Sequence, residues 1–241
     1  MRKYILLLII TIPLVSKCQE TKSREEIKFF VDSIYNSITK NNQLDWKDIQ
    51  SFFENQKVKK TYYDNGKIKS SFTTYDNGEN TFFKYYSESG KLSIEGKLKL
   101  DKQNGIWKSY YENGNIKQER NYVDGKENGY VKFYRSNGKI SSEEIYKDGK
   151  REGISKQYFQ SGKLGSSGNY VNDKKEGLWK FYCSISGDLD QEDNYIDGKK
   201  NGLSRRYHYN GHVELEKYYK NDKVISYQYY DRNGQEKNPG F

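Results

Sequence analysis

Three kinds of hydrophobic pattern follow one another along the chain. Tyr4–Val15 is an unbroken apolar run of 12 residues behind Arg2 and Lys3. A bilayer span needs about 20 residues, so this run has the anatomy of a secretory signal instead. Ile27, Phe30, Val31, Ile34 and Ile38 then recur at helical spacing. Ser23 and Glu26 stand where a capping box would start that helix. The spacing predicts an amphipathic helix over 23–40. Leu44, Trp46, Ile49, Phe52 and Phe53 predict a shorter one over about 45–55. From residue 56 onward the pattern changes to short strand-like segments punctuated by glycine.

The punctuation is periodic. Gly66, Gly90, Gly114, Gly138, Gly162, Gly187, Gly211 and Gly234 follow one another at 24 residues, except for one step of 25 and a last step of 23. All are preceded by Asn or Ser. A second glycine series runs through Gly105, Gly129, Gly153, Gly177 and Gly202. Tyrosines precede the first turn at Tyr110, Tyr134, Tyr158, Tyr182 and Tyr207, and an aliphatic follows it, as at Ile116 and Ile140. Self-similarity at this period is the mark of an array in which each unit is one supersecondary element.

Each unit reads as a β-hairpin. The Asn-Gly pair supplies the two positive φ angles of a type I′ turn, and the Asp-Gly-Lys or Asn-Asp-Lys stretch supplies the return turn. A two-residue loop sets Lys84 opposite Glu95, Lys108 opposite Glu119, Lys132 opposite Glu143 and Arg205 opposite Glu216. With the extra residue of the long repeat placed in the Ser186-Gly187 turn, Lys180 meets Glu192. Opposite charges recurring across the hairpin support the register. It leaves one face rich in Tyr, Lys and Glu. The other is aromatic and aliphatic, with Trp107, Tyr111, Ile116 and Tyr122.

Composition agrees. Hydrophobic residues make up 33% of the 241, and 24 of them are Tyr; Ala is absent. The best helix former is therefore missing, while tyrosine and glycine suit half-buried strands and tight turns. At 16% aromatic residues the chain is not a solvated tail. The expected fold is all-β, an elongated antiparallel meander of repeated β-hairpins with a 24-residue period and a short N-terminal helical segment. Its parts are a signal peptide (1–17), a tether and helical cap (18–55), and about eight hairpin repeats (56–241).

The segment Gly105-Ile-Trp107-Lys-Ser-Tyr110-Tyr111-Glu-Asn-Gly114-Asn-Ile116-Lys-Gln-Glu119-Arg-Asn-Tyr122-Val-Asp-Gly125-Lys126 resembles the MORN-repeat variant of bacterial YwqK-type proteins. Gly177-Leu-Trp179-Lys-Phe-Tyr182 is similar to it again, and the likeness covers about residues 56–236. Val131, Ser155 and Ser204 replace the tryptophan. The resemblance implies an interaction or membrane-associated scaffold. It also implies an antitoxin-like role, since members of the bacterial subfamily carry that label.

The candidate chemistry is sparse. Leu14-Val15-Ser16-Lys17-Cys18 is similar to a lipobox, making Cys18 the expected lipidation site of a membrane-anchored envelope protein, with Lys17 where a small residue is usual. Secretion is the alternative. The formal charge is +9, or about +6 without residues 1–17, and is spread evenly, which favours a solvated surface over nucleic-acid binding. No P-loop occurs, because no Gly-Lys pair is followed by Ser or Thr. His208 and His212 read as exposed turn residues, and Asp188, Asp190, Glu192 and Asp193 as a solvated acidic loop. Cys183 reads as a strand filler. No catalytic constellation, cofactor or metal site is expected. The expected function is a non-enzymatic cell-envelope scaffold that binds a protein partner along its sheet, with Tyr110, Tyr134, Tyr158, Tyr182 and Tyr207 as the candidate surface. The alternatives are an antitoxin or immunity-type protein and a glycan-binding module that stacks sugars on its aromatic ladder.

Overall fold

The structure is a computed structural model that describes residues 56–75 and 78–237. The signal segment, Cys18 and both expected helices lie outside the described residues. Within them the chain is one open antiparallel sheet of consecutive hairpins, running from Lys57–Tyr62 to Glu236–Lys237. Each strand pairs with its neighbours in sequence, so the sheet is a meander with two ends. The first strand pairs with Ile68–Tyr75, and the last with Lys223–Tyr230.

The expected register holds. Lys84 faces Glu95, Lys108 faces Glu119, Lys132 faces Glu143, Lys180 faces Glu192, and Arg205 faces Glu216. The turn that produces it is not the expected one. Tyr111 N–H donates to Asn115 O and Gly114 N–H to Tyr111 O, closing a three-residue loop. Gly114 has φ +86°, whereas Asn113 is not in the left-handed region. This is a type I turn with a glycine bulge, rather than a type I′ turn. The bulge sits where Tyr110 pairs with Ile116 but Ser109 pairs with Gln118, leaving Lys117 over. That extra residue cancels the extra loop residue, so the charges still meet. The type I′ turn occurs on the opposite side of the ribbon, where Asp124 (φ +50°) and Gly125 (φ +84°) link Val123 to Lys126. The long repeat spends its additional residue in a four-residue loop, with Gly187 N–H donating to Cys183 O and Cys183 N–H to Asp188 O.

Both rows of turns are stitched from one repeat to the next. On the asparagine side, Asn113 Nδ2 donates to Ser136 O at 2.7 Å, and Tyr111 Oη to Tyr134 O at 2.7 Å. On the return side, Gly125 N–H donates to Gln103 O, and Gly149 N–H to Glu127 O, both at 2.8 Å. Turn carbonyls and N–H groups that would otherwise face water are thereby paired along the ribbon.

Most of the fully buried residues lie on the face that carries Trp107 and Trp179. One row crosses it from strand to strand as Gly96–Trp107–Arg120–Val131, then Glu144 and Ser155, then Gly168–Trp179–Asp193–Ser204. Each tryptophan lies flat over the glycine of the preceding strand. A Cβ at Gly96 or Gly168 would stand 2.1 Å from the indole. Each indole Nε1 donates to a carbonyl ten residues earlier, Trp107 to Lys97 at 3.0 Å and Trp179 to Asn169 at 3.1 Å. Phe83 stacks on Trp107 with ring centroids 5.7 Å apart, and Tyr170 and Tyr195 meet Trp179 edge-on. The face is less apolar than the sequence pattern suggested. Where tryptophan is absent, its row is filled by Val131, Ser155 or Ser204 beside a charged neighbour.

Candidate interaction surface

The opposite face carries the tyrosines and a ladder of charge. Lys84–Glu95–Lys108–Glu119–Lys132–Glu143–Lys156 succeed one another strand by strand. After Ser167 the ladder resumes as Lys180–Glu192–Arg205–Glu216. Glu95, Glu119, Glu143 and Glu192 thus each lie between two cations, and Glu216 lies between Arg205 and Gln228. Ion pairs close at 3.5 Å for Lys132–Glu143, 3.4 Å for Lys180–Glu192 and 2.8 Å for Arg205–Glu216.

The candidate tyrosines complete this ladder. Tyr110 Oη donates to Glu95 at 2.6 Å, Tyr134 to Glu119 at 2.8 Å, Tyr158 to Glu143 at 2.8 Å and Tyr207 to Glu192 at 2.7 Å. Each bond reaches back fifteen residues to the previous repeat. Burial, the bond to glutamate and its negative charge push the phenols of Tyr158 and Tyr207 up to about 12, and that of Tyr134 upward as well. Fifteen residues before Tyr182 stands Ser167, so the bond has no counterpart there. All five tyrosines are half-buried, and four of them use their hydroxyls within the sheet.

Two residues before each ladder cation from Lys108 onward stands a side chain that the sequence reading did not single out. These are Ile106, Tyr130, Ile154, Leu178 and Leu203, one per repeat. Alternation puts them on the tyrosine face beside the charges. Ile106 is 48% exposed, Tyr130 65%, Ile154 56% and Leu178 44%, and Tyr218, which pairs with Leu203, is 50% exposed. The signal that finds this row is the 24-residue recurrence of a large apolar residue just behind the leading glycine. Beneath it, Asn121 Nδ2 donates to Asn128 O and Asn194 Nδ2 to Leu203 O, both at 2.7 Å, holding the strand irregularities that follow each return turn.

The acidic group of the long repeat is not a solvated loop. Asp188 and Asp190 are exposed, but Glu192 belongs to the ladder, and Asp193 is 1% exposed on the tryptophan face. Burial alone would raise the Asp193 carboxyl. Hydrogen bonds from Ser204 at 2.6 Å, from Lys200 and from Gln191 outweigh it and hold the group below its ordinary range. Nearby, Lys175 Nζ sits 4.3 Å from the Trp179 ring centroid and 4.9 Å from that of Tyr195. Burial and the neighbouring Lys200 and Arg151 lower its ammonium pKa, against the pull of Asp193. Cys183 is a turn residue rather than a strand filler. Backbone N–H groups of Ser186 and Ile185 and the Ser186 hydroxyl lower its thiol. His212 is exposed, whereas His208 is half-buried and its Nε2 lies 3.1 Å from Tyr230 O in the stitched row of turns. Cys18 lies outside the described residues.

No curated protein matches the chain. Among solved structures, an S. aureus TarM mutant in complex with fondaparinux, alpha-GlcNAc-glycerol and UDP is similar at 14% identity. It covers 62% of this chain and 27% of its own length, at a TM-score of 0.24. A second TarM structure is similar at 12% identity over 62% of this chain and 26% of that one, at a TM-score of 0.22. The chain therefore spans about a quarter of the proteins it is aligned with, and likeness at that level bears on neither fold nor function. The family model described as MORN repeat variant matches residues 55–77, 103–124, 127–148, 151–172 and 200–221. These segments fall on successive hairpins of the sheet, and the intervening hairpins keep the same register. The chain is a MORN-repeat β-sheet protein, with repeats of the MORN variant across residues 55–221.

Proposed function

We propose that this protein is a non-enzymatic scaffold of the cell envelope that binds a protein partner along its tyrosine face. The observation that carries the reading is the apolar row at Ile106, Tyr130, Ile154 and Leu178, exposed at repeat spacing beside an alternating charge ladder. Large apolar side chains lined up in water are costly unless something covers them, and aligned patches of this kind mark interaction surfaces. The ladder supplies the polar rim that gives such a contact its register. Envelope placement rests on the basic start, the Tyr4–Val15 run and Cys18. The glycan reading loses its main support, because Trp179 is 2% exposed with its ring spent on Gly168. A photo-crosslinking amino acid at Tyr130, introduced in the native envelope, tests the proposal. The expected result is one protein adduct that disappears when Ile154→Lys is added. Absence of a protein adduct, or an adduct indifferent to Ile154→Lys, overturns it.

A further inference from the structure

Between Lys84 and Glu216 the charge ladder has one missing rung, and before Lys84 a serine, Ser71, separates it from Lys60 in the same way. Glu95, Glu119, Glu143 and Glu192 each stand between two cations, whereas Lys156, which flanks Glu143 on one side, faces Ser167 on the other. From Lys84 to Glu216 the ladder holds six cations and five carboxylates, so the surplus charge falls at this gap. The register places three groups that would serve a carboxylate around it, one of which, Lys180, also pairs with Glu192 at 3.4 Å. Lys156 and Lys180 flank Ser167 on the adjacent strands, one strand spacing of about 4.8 Å to either side. Tyr182 stands fifteen residues on, where the other tyrosines donate to glutamate. Lys156 is exposed and forms no ion pair among the described residues, although Glu143 faces it on its other side. Serine is three heavy atoms shorter than glutamate, so the space of a carboxylate is left open at the surface.

We infer that the gap at Ser167 is a seat for a single carboxylate supplied by a protein partner's Asp or Glu side chain, held by Lys156, Lys180 and the Tyr182 hydroxyl. The inference rests on the tyrosine face being the interaction surface, and it adds where the partner's acidic residue lands. The incoming group reproduces the arrangement that Glu143 has with Lys132 and Tyr158. A charge-assisted bond to a partly desolvated oxygen favours this position over the rungs at Glu95, Glu119, Glu143, Glu192 and Glu216, where the protein's own carboxylate already occupies the seat.

The test needs no partner. Acetate is titrated into the isotopically labelled protein at constant ionic strength, with chloride as the balancing anion. Resonances of Lys156, Ser167, Lys180 and Tyr182 are expected to shift saturably, while those of Lys108 and Tyr134 stay still. Ser167→Glu fills the seat from within and is expected to abolish the acetate response and raise the melting temperature. Lys156→Met, at an exposed position, keeps the fold and is expected to weaken acetate about tenfold, the value of one lost charge-assisted contact. A second arm compares the peptides acetyl-Gly-Glu-Gly-amide and acetyl-Gly-Gln-Gly-amide, and only the glutamate peptide is expected to compete with acetate. Shifts spread equally over all ladder lysines, a Ser167→Glu variant that responds like wild type, or equal behaviour of the two peptides overturns the inference. Failure here leaves the crosslinking result at Tyr130 untouched, so the two readings fall separately.

Discussion

Glycine does two unlike jobs in this chain. Gly114 serves the backbone, since φ +86° at the bulge is a conformation β-branched residues avoid. Gly114→Val should destabilise by about 1–3 kcal/mol in urea unfolding. Asn113→Val should cost less, because it forfeits only exposed hydrogen bonds to Ser136 and Asn115. Equal losses would contradict the turn described here. Gly168 serves a side chain, because the Trp179 indole occupies the space of its Cβ. Gly168→Ala should cost about 1–3 kcal/mol from overpacking, and the loss should shrink in a Trp179→Val background. Undiminished loss in the double variant would mean the ring is not what Gly168 accommodates. The turn type was misread from sequence because Asn-Gly fits both a type I′ turn and the glycine bulge. The glycine–tryptophan pairing was hidden for another reason. Its members sit eleven residues apart on strands of successive repeats, and nothing local connects them.

At the scale of the hairpin, the stabilising unit is a cation, a glutamate and a tyrosine drawn from two successive repeats. Its charged half was legible, since Lys108 and Glu119 face each other within one hairpin and a loop length is enough to align them. Its tyrosine was legible only as a recurring residue, because the bond from Tyr134 to Glu119 reaches from one hairpin to the previous one. The unit makes a prediction about alkaline pH. The phenols of Tyr158 and Tyr207 are raised to about 12 by burial and by bonding to Glu143 and Glu192. Above about pH 10 an unfolded chain sheds those protons while the folded chain keeps them. The folded state then binds more protons, so stability falls as pH rises. Its contribution is whole below pH 10 and is lost through about 12. Urea midpoints measured from pH 9 to 11.5 should decline over this window, and less so in Glu143→Gln, where the charge raising Tyr158 is removed. A flat profile would show that these bonds do not distinguish the folded from the unfolded chain.

For the whole molecule, the meander fixes an elongated body. Fifteen strands of six or more residues among the described ones, about 4.8 Å apart, trace about 67 Å across the sheet. A rod of that length alone has a radius of gyration of about 19 Å, against about 17 Å for a compact globule of this chain length. Small-angle scattering on residues 19–241 should exceed that compact value, and a result at or below it would mean that the sheet closes on itself in solution. The openness was legible from the unbroken period, since each unit finds its partner next door and none needs a distant strand. The two ends of this open sheet bear on a hazard. A ribbon with unpaired terminal strands is a template for fibres, each copy extending the sheet of the last. Among the described residues, the first strand of the sheet offers Lys57, Lys59 and Lys60, all exposed. Lysine repels an incoming lysine-bearing copy. The lysines of this strand thus disfavour edge-to-edge extension by a second copy, while the broad faces of the described sheet stay open.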